Sequence, residues 1–136
     1  MRKEGIVSLW VGKIDSEEDL EIYVEIPYSE DEDDEEIHTS KFGENFKISY
    51  YDEDFIESKY CKFISKELKA LLVGHSYDDI IISRFLNLCG GELLEESNAI
   101  ILLYNFQYDG KVKKFDDGKI RFEYLGSVQY TKEVSL

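Results

Sequence analysis

Cysteine, proline and basic residues are scarce in this sequence of 136 residues. Cys61 and Cys89 are too few for a disulfide framework and too far apart in sequence for a Cys-x-x-Cys metal or redox motif. The chain has 16 Lys and Arg against 30 Asp and Glu, which gives a formal charge of −14 at pH 7. An acidic chain repels phosphate, so we expect no binding to nucleic acid or to anionic membranes. A reducing, cytoplasmic location fits this composition best.

Long apolar runs are also absent. The longest, Ala99 to Tyr104, is far shorter than the roughly 18 residues that a membrane-spanning helix needs. The apolar run from Gly5 to Gly12 is followed by Lys13 and Asp15 without a small-residue cleavage site, so we expect no signal peptide. A chain of this length can bury a core of its own. We therefore expect residues 1–136 to form one domain.

Motifs for catalysis or metal binding are missing as well. The sequence contains no Gly-x-Ser-x-Gly elbow, no Walker-type loop, no dinucleotide-binding glycine pattern and no His-Glu-x-x-His helix. His75, Ser76 and Asp78 are neighbours in sequence, but side chains so close along a chain rarely converge as a catalytic triad. Asp31, Asp33 and Glu35 have the spacing of calcium ligands, but an EF-hand loop would need glycine at the position of Glu36 and glutamate at that of Phe42. We predict a protein that is not an enzyme and that needs no metal or cofactor.

The negative charge is concentrated in one segment. Between Asp15 and Glu57 lie 18 acidic residues and only two basic ones, Lys41 and Lys47, whereas the rest of the chain has 12 acidic and 14 basic residues. The centre of this segment is the uninterrupted acidic run Glu30 to Glu36. Like charges repel one another, so we predict an acidic mobile loop at about residues 28–39. It serves either to keep the protein in solution or to contact a partner.

Tyrosines lie beside several of these acids. Aromatic residues make up 14% of the chain, and Tyr28, Tyr50 and Tyr51 each lie next to or near an acidic stretch. Tyrosine offers contact area at low entropic cost and a hydroxyl for hydrogen bonding, so this combination predicts a binding surface for a basic protein. Alternatively, Tyr50 or Tyr51 fills the edge of the core. The candidate partner-binding residues are Tyr28, Asp31, Asp33, Asp34, Tyr50, Tyr51, Asp52, Glu53 and Asp54.

The N-terminal half predicts a strand followed by a helix. The run Gly5 to Gly12 is rich in residues that suit a strand. Ser16 is expected to begin a helix, with Asp19 at the position of a capping-box partner and Pro27 at its end. Residues 42–55 carry aromatics among polar residues, which suits short extended pieces and turns.

The C-terminal half predicts two helices and then strands. Ser65 and Ser76 are each expected to begin a helix, and Gly90-Gly91 to end the second. Asn98 to Phe106 carries apolar residues on both faces, which indicates the central strand of a sheet, covered on both sides. Turn signals follow at Asp109-Gly110 and at residues 116–118. The predicted fold class is α+β, a single domain with an N-terminal strand and helix, two middle helices and a C-terminal antiparallel β-meander.

Four segments carry a family resemblance. They are Val7 to Gly12, Phe42-Gly43 with Tyr51 to Phe55, Asn98 to Tyr104 and Phe122 to Val128. In this order they resemble the immunity protein 22 family of bacterial polymorphic toxin systems, over nearly the whole chain. The resemblance implies a cytoplasmic α+β protein that neutralises the toxin domain of a kin or neighbouring bacterium.

Charge and resemblance predict the same mechanism. A nuclease toxin needs a basic cleft for phosphate, so an acidic inhibitor can occupy that cleft and be steered to it electrostatically. We predict a toxin-neutralising immunity protein, a monomer or weak dimer, that binds a cognate basic toxin domain. The alternative is an acidic adaptor or nucleic-acid mimic that titrates some other basic protein. A neighbouring gene for a large secreted protein with a variable C-terminal domain would favour immunity.

Overall fold

Pairs of α-helices separate the first three strands in the computed structural model, which describes residues 2–26 and 39–131. The predicted acidic loop lies outside the described residues, apart from Thr39. A short 3-10 helix, Glu53–Phe55, precedes the second strand. The other elements are β1 (Arg2–Lys13), α1 (Glu17–Val24), α2 (Lys41–Phe46), β2 (Ile56–Glu67), α3 (Leu68–Leu72), α4 (Asp78–Cys89), β3 (Glu92–Phe106), β4 (Lys114–Asp116) and β5 (Arg121–Gln129).

All five strands pair antiparallel in one sheet, in the order β2-β3-β1-β5-β4. The N-terminal strand β1 is central, with Leu9 opposite Leu102 of β3 and Trp10 opposite Tyr124 of β5. The predicted C-terminal meander is therefore wrong in its strand order. Because β3 is apolar on both faces and pairs with both β1 and β2, it leaves no free edge for β4. Only β4 and β5 form the expected hairpin, around residues 116–118.

Helices cover both faces of the sheet. One face carries Trp10, Ile101 and Phe122 against α1 and α2. The opposite face carries Leu9 and Leu102 against α3 and α4. These helix layers on an antiparallel sheet confirm the predicted α+β class. They cover β3 on both faces as expected, but the central strand of the sheet is β1 and not β3 as predicted.

Local sequence signals set several element ends. The hydroxyl of Ser16 accepts a hydrogen bond from the Asp19 N–H at 3.1 Å, so the predicted start of α1 is confirmed. Gly90 has φ of 83° and ends α4 as expected, although the cap at the start of α4 is Tyr77 rather than Ser76. The helix predicted from Ser65 begins only at Leu68, because pairing with β3 keeps the chain extended to that point.

Residues 42–55 contain a helix that the sequence pattern did not predict. The hydroxyl of Ser40 accepts a hydrogen bond from the Gly43 N–H at 3.0 Å and caps α2. A Cβ atom at Gly43 would overlap the Thr39 side chain and lie 2.8 Å from the Ile48 carbonyl oxygen. Glycine is thus needed here for a close approach of chain segments, and α2 depends on that packing more than on helix propensity.

Candidate functional site

An acidic surface covers the side of the molecule formed by α1, α2 and the 3-10 helix. Its carboxylates are all exposed, and none of them forms an ion pair within the part of the chain that the structure describes. Lys41 and Lys47 are the basic residues of the same segments. We call this surface the acidic face, and it consists of Asp15, Glu17, Glu18, Asp19, Glu21, Glu25, Glu44, Asp52, Glu53 and Asp54.

Tyr50 and Tyr51 have opposite environments. Tyr50 is 69% exposed beside the acidic face, whereas Tyr51 is only 2% exposed. The Tyr51 hydroxyl donates to the Val24 carbonyl at 2.6 Å and lies 2.8 Å from the Ser40 hydroxyl. Burial raises the pKa of Tyr51. The structure therefore places Tyr51 in the core, as the alternative interpretation held, and only Tyr50 is available as a surface contact.

The position of Tyr51 gives it a supporting role. Val24 ends α1 and Ser40 precedes α2, so one hydroxyl joins the two chain segments that flank residues 27–38. Tyr51 thereby fixes α1 against α2, the two helices that present most of the acidic face. Tyr28, Asp31, Asp33 and Asp34 lie outside the described residues, and their part in binding stays a prediction.

Replacing Tyr51 with phenylalanine is expected to lower the free energy of unfolding by about 1–2 kcal/mol. The ring would still fill its site, but the Val24 carbonyl would lose its buried donor. Urea denaturation measures the change. Tyr50→Phe is the matched control and should stay within about 0.5 kcal/mol of the parent, because Tyr50 is exposed. Equal stability of the two variants would contradict the supporting role.

The three acids that follow Tyr51 form a short rigid projection. A side-chain oxygen of Asp52 accepts a hydrogen bond from the Asp54 N–H at 2.9 Å and caps the 3-10 helix. Glu53 and Asp54 are exposed, and neither carboxylate has a partner within the described ranges. Of the predicted site residues, the structure brings together Tyr50, Asp52, Glu53 and Asp54 at the surface.

A cleft of about 260 Å³ adjoins Tyr50. One wall comes from residues 47–52, and another comes from the end of β3 and the segment that follows it. Arg2, at the start of β1, also lines the cleft. Sequence reasoning missed this cleft because its lining residues are up to about a hundred residues apart along the chain. No short-range sequence pattern indicates that such segments lie together.

A second polar cluster joins β2 to the connection between α3 and α4. The Glu57 carboxylate contacts His75 Nδ1 at 3.2 Å and accepts a hydrogen bond from the Ser76 N–H at 3.0 Å. It also accepts a hydrogen bond from the Ser76 hydroxyl. Because that hydroxyl is bound to Glu57, Ser76 and His75 do not form a nucleophile and base pair. The cluster holds the chain between two helices.

The same cluster makes stability depend on pH. Burial lowers the pKa of His75, although Glu57 partly offsets the effect. Burial acts to raise the pKa of Glu57, but hydrogen bonds from Ser76 and His75 outweigh it and hold this pKa below its usual value. Both pKa values are lower in the folded protein than in the unfolded chain. As the pH falls, the unfolded chain therefore binds these protons more readily, and the free energy of unfolding decreases. The loss begins as the pH falls below the ordinary pKa of histidine and continues below that of glutamate.

His75→Asn is therefore expected to flatten the dependence of unfolding free energy on pH between about pH 7.5 and about pH 5.5. Asparagine keeps a donor for Glu57 but cannot take up a proton. Urea titrations at several pH values measure the slope. His38→Asn is the matched control, since His38 is the other histidine of the chain. A parent-like slope in His75→Asn would show that another group causes the dependence.

The described residues contain no group of three or more His, Cys, Asp or Glu side chains arranged to hold a metal ion. Within the same ranges, no helix has the length and apolarity needed to cross a membrane. The acidic face and the exposed Tyr50 beside it are typical of a domain that binds another protein.

Comparison with known proteins gives the family. The family model described as Immunity protein 22 matches residues 7–131, and the chain belongs to this family. The resemblance found in the sequence is confirmed. No curated protein and no solved structure matches the chain.

Proposed function

We propose that this protein neutralises the toxin domain of a bacterial polymorphic toxin system by binding it through the acidic face. Membership of the Immunity protein 22 family supports an immunity role and a toxin as partner. The observation that carries the choice of surface is the acidic face, whose carboxylates are exposed and form no ion pair among the described residues. In this proposal the toxin domain is basic, and the protein acts in the cytoplasm as a monomer or weak dimer.

The charge of the acidic face supports rapid capture. Exposed charges act over about 10 Å at moderate ionic strength, and many like charges on one side produce a field that orients an approaching basic protein. An inhibitor must bind before the toxin reaches its target, so a high association rate is useful in itself. The remaining surface, which includes Lys66 at the end of β2 and Lys69 in α3, does not share this excess of acids.

The side chains beside Tyr50 support a stable complex. An exposed tyrosine ring can be buried by a partner at small entropic cost, and its hydroxyl keeps a hydrogen bond available. Asp52 is held in place by its bond to the Asp54 N–H, so it need not be ordered on binding. In this proposal Tyr50 and Asp52 are the anchors, and the acids of α1 contribute chiefly to encounter.

Survival of bacteria tests the proposal. The C-terminal domain of a large secreted protein whose gene is found next to this one serves as the candidate toxin domain. It is expressed with the parent protein, with Tyr50→Ala or with Phe63→Ala. Phe63 is the matched control, because it is an aromatic residue of β2 that is 83% exposed. The parent and Phe63→Ala should protect the cells, whereas Tyr50→Ala should protect less well. Failure of the parent to protect would contradict the immunity role and favour an acidic adaptor for another basic protein.

A further inference from the structure

The cleft beside Tyr50 combines a buried apolar lining with an exposed aromatic rim. Leu103 and Phe106 of β3 line it and are almost fully buried, and the half-buried Phe55 contributes a further apolar surface. Tyr50 lines the same cleft with most of its side chain exposed. Apolar lining beside an exposed ring is typical of a pocket that a partner's side chain fills.

The size of the cleft limits what it can hold. Pockets for small-molecule ligands and cofactors usually measure about 300–1,000 Å³. The cleft, at about 260 Å³, lies just below the lower end of this range. It is large enough for one large side chain.

The charges around the cleft indicate which kind of partner side chain it can receive. Arg2 and Lys47 line it together with Asp52 and Asp109, and none of the four has an ion-pair partner within residues 2–26 and 39–131. A cationic group in the cleft would meet the two basic side chains, and an anionic group would meet the two acids. A neutral apolar side chain leaves all four charges in water. Outside the cleft, the acids that follow Asp52 favour basic residues on either side of the inserted group.

The walls of the cleft are fixed before binding. Lys47 and Asn105 both line it, and both have left-handed backbone conformations, with φ of 61° and 57°. The Asn105 side-chain oxygen accepts hydrogen bonds from the Gly5 N–H at 3.0 Å and from the Tyr130 hydroxyl at 2.6 Å. Uncommon backbone conformations held by such contacts cluster at binding sites, and a fixed pocket loses little entropy when it is filled.

We infer that this cleft receives one large apolar side chain, aromatic or aliphatic, that projects from the toxin domain between basic residues. The inference rests on the proposed function and adds the pocket at the centre of the contact. The inserted side chain packs on Phe55 and the accessible edge of Phe106 and is covered by the Tyr50 ring. Its basic neighbours lie against Asp52 and the acids after it.

Filling the cleft tests the inference. Ser49 is an exposed residue that lines the cleft, so Ser49→Trp places a large ring in the space that the partner would use. Ser83→Trp is the matched control, since Ser83 is exposed on α4 across the sheet. The probe is the purified candidate toxin domain of the survival test, in a variant that has lost its toxicity. Ser49→Trp should dissociate from it about tenfold faster than the parent, and Ser83→Trp should match the parent.

The outcomes separate the two proposals. If the parent does not bind the toxin domain, both the proposed function and the cleft inference are wrong. If the parent and Ser49→Trp dissociate at the same rate, only the cleft inference is overturned. Thermal unfolding checks that each variant is folded. Should Ser49→Trp not fold, Ser49→Phe replaces it: faster dissociation than that of the parent supports the pocket, and parent-like dissociation overturns it.

Discussion

Replacing Trp10 with alanine is expected to lower the free energy of unfolding by about 3–5 kcal/mol. Trp10 is fully buried on the central strand β1. Its ring lies 4.8 Å from that of Phe42, 5.4 Å from that of Tyr108 and 5.2 Å from that of Tyr124, measured between centroids. One side chain thus joins the sheet to α2, and its removal leaves a cavity among aromatic rings that cannot collapse easily.

Two further variants show that the loss comes from packing. The Trp10 indole N–H has no hydrogen-bond partner among the described residues, so Trp10→Phe should cost less than Trp10→Ala in proportion to the volume removed. Leu94→Ala removes a large apolar side chain that is 89% exposed and should change stability by less than about 0.5 kcal/mol. Urea denaturation gives all three values. A loss below about 1 kcal/mol for Trp10→Ala would contradict this account of the core.

Reversing three charges on the acidic face is expected to slow association with the toxin domain about tenfold at low ionic strength. The variant carries Glu21→Lys, Glu53→Lys and Asp54→Lys. These positions are exposed, and Glu21 lies beyond the first turn of α1, so the acids that stabilise its N-terminal end remain. The dissociation rate should change less than the association rate, because charges at the rim of an interface affect mainly how fast the two proteins meet.

The control carries the same change in net charge elsewhere. Glu67→Lys, Glu92→Lys and Glu96→Lys reverse exposed acids at the end of β2 and in the first part of β3, outside the first turn of any helix. Association rates measured by stopped flow over a range of salt concentrations compare the two variants. The difference between them should shrink as salt increases, because screening shortens the reach of exposed charges. Equal slowing of both variants would show that net charge matters and the acidic face does not.

Elements decided by local chemistry were predictable from the sequence. Ser16 caps α1, Gly90 ends α4, and the strand at the N-terminus follows from its residue types. Elements decided by distant contacts were not. The polar strand β2 exists because β3 pairs with it, and α2 forms where Gly43 lets segments of the chain pack closely. The strand order also depends on the central position of β1, and no short-range sequence pattern predicts that position.

The negative charge of the candidate site was predictable from the sequence, but the positions of its side chains were only partly predictable. The excess of acids between Asp15 and Glu57 is visible in the sequence and becomes an exposed face in the structure. The difference between Tyr50 and Tyr51 is not visible there, because both have the same chemistry and the segment lacks a regular hydrophobic period. It arises from the buried hydrogen bonds of Tyr51 to Val24 and Ser40.

Hydrogen exchange of the complex tests most directly that the acidic face binds the toxin domain. Amide protection is measured for the free protein and for the protein bound to the inactivated toxin domain encoded beside its gene. Binding through the acidic face should add protection in residues 15–26 and 48–55, with little change in residues 68–89 of the α3 and α4 layer. Added protection confined to residues 68–89 would contradict it.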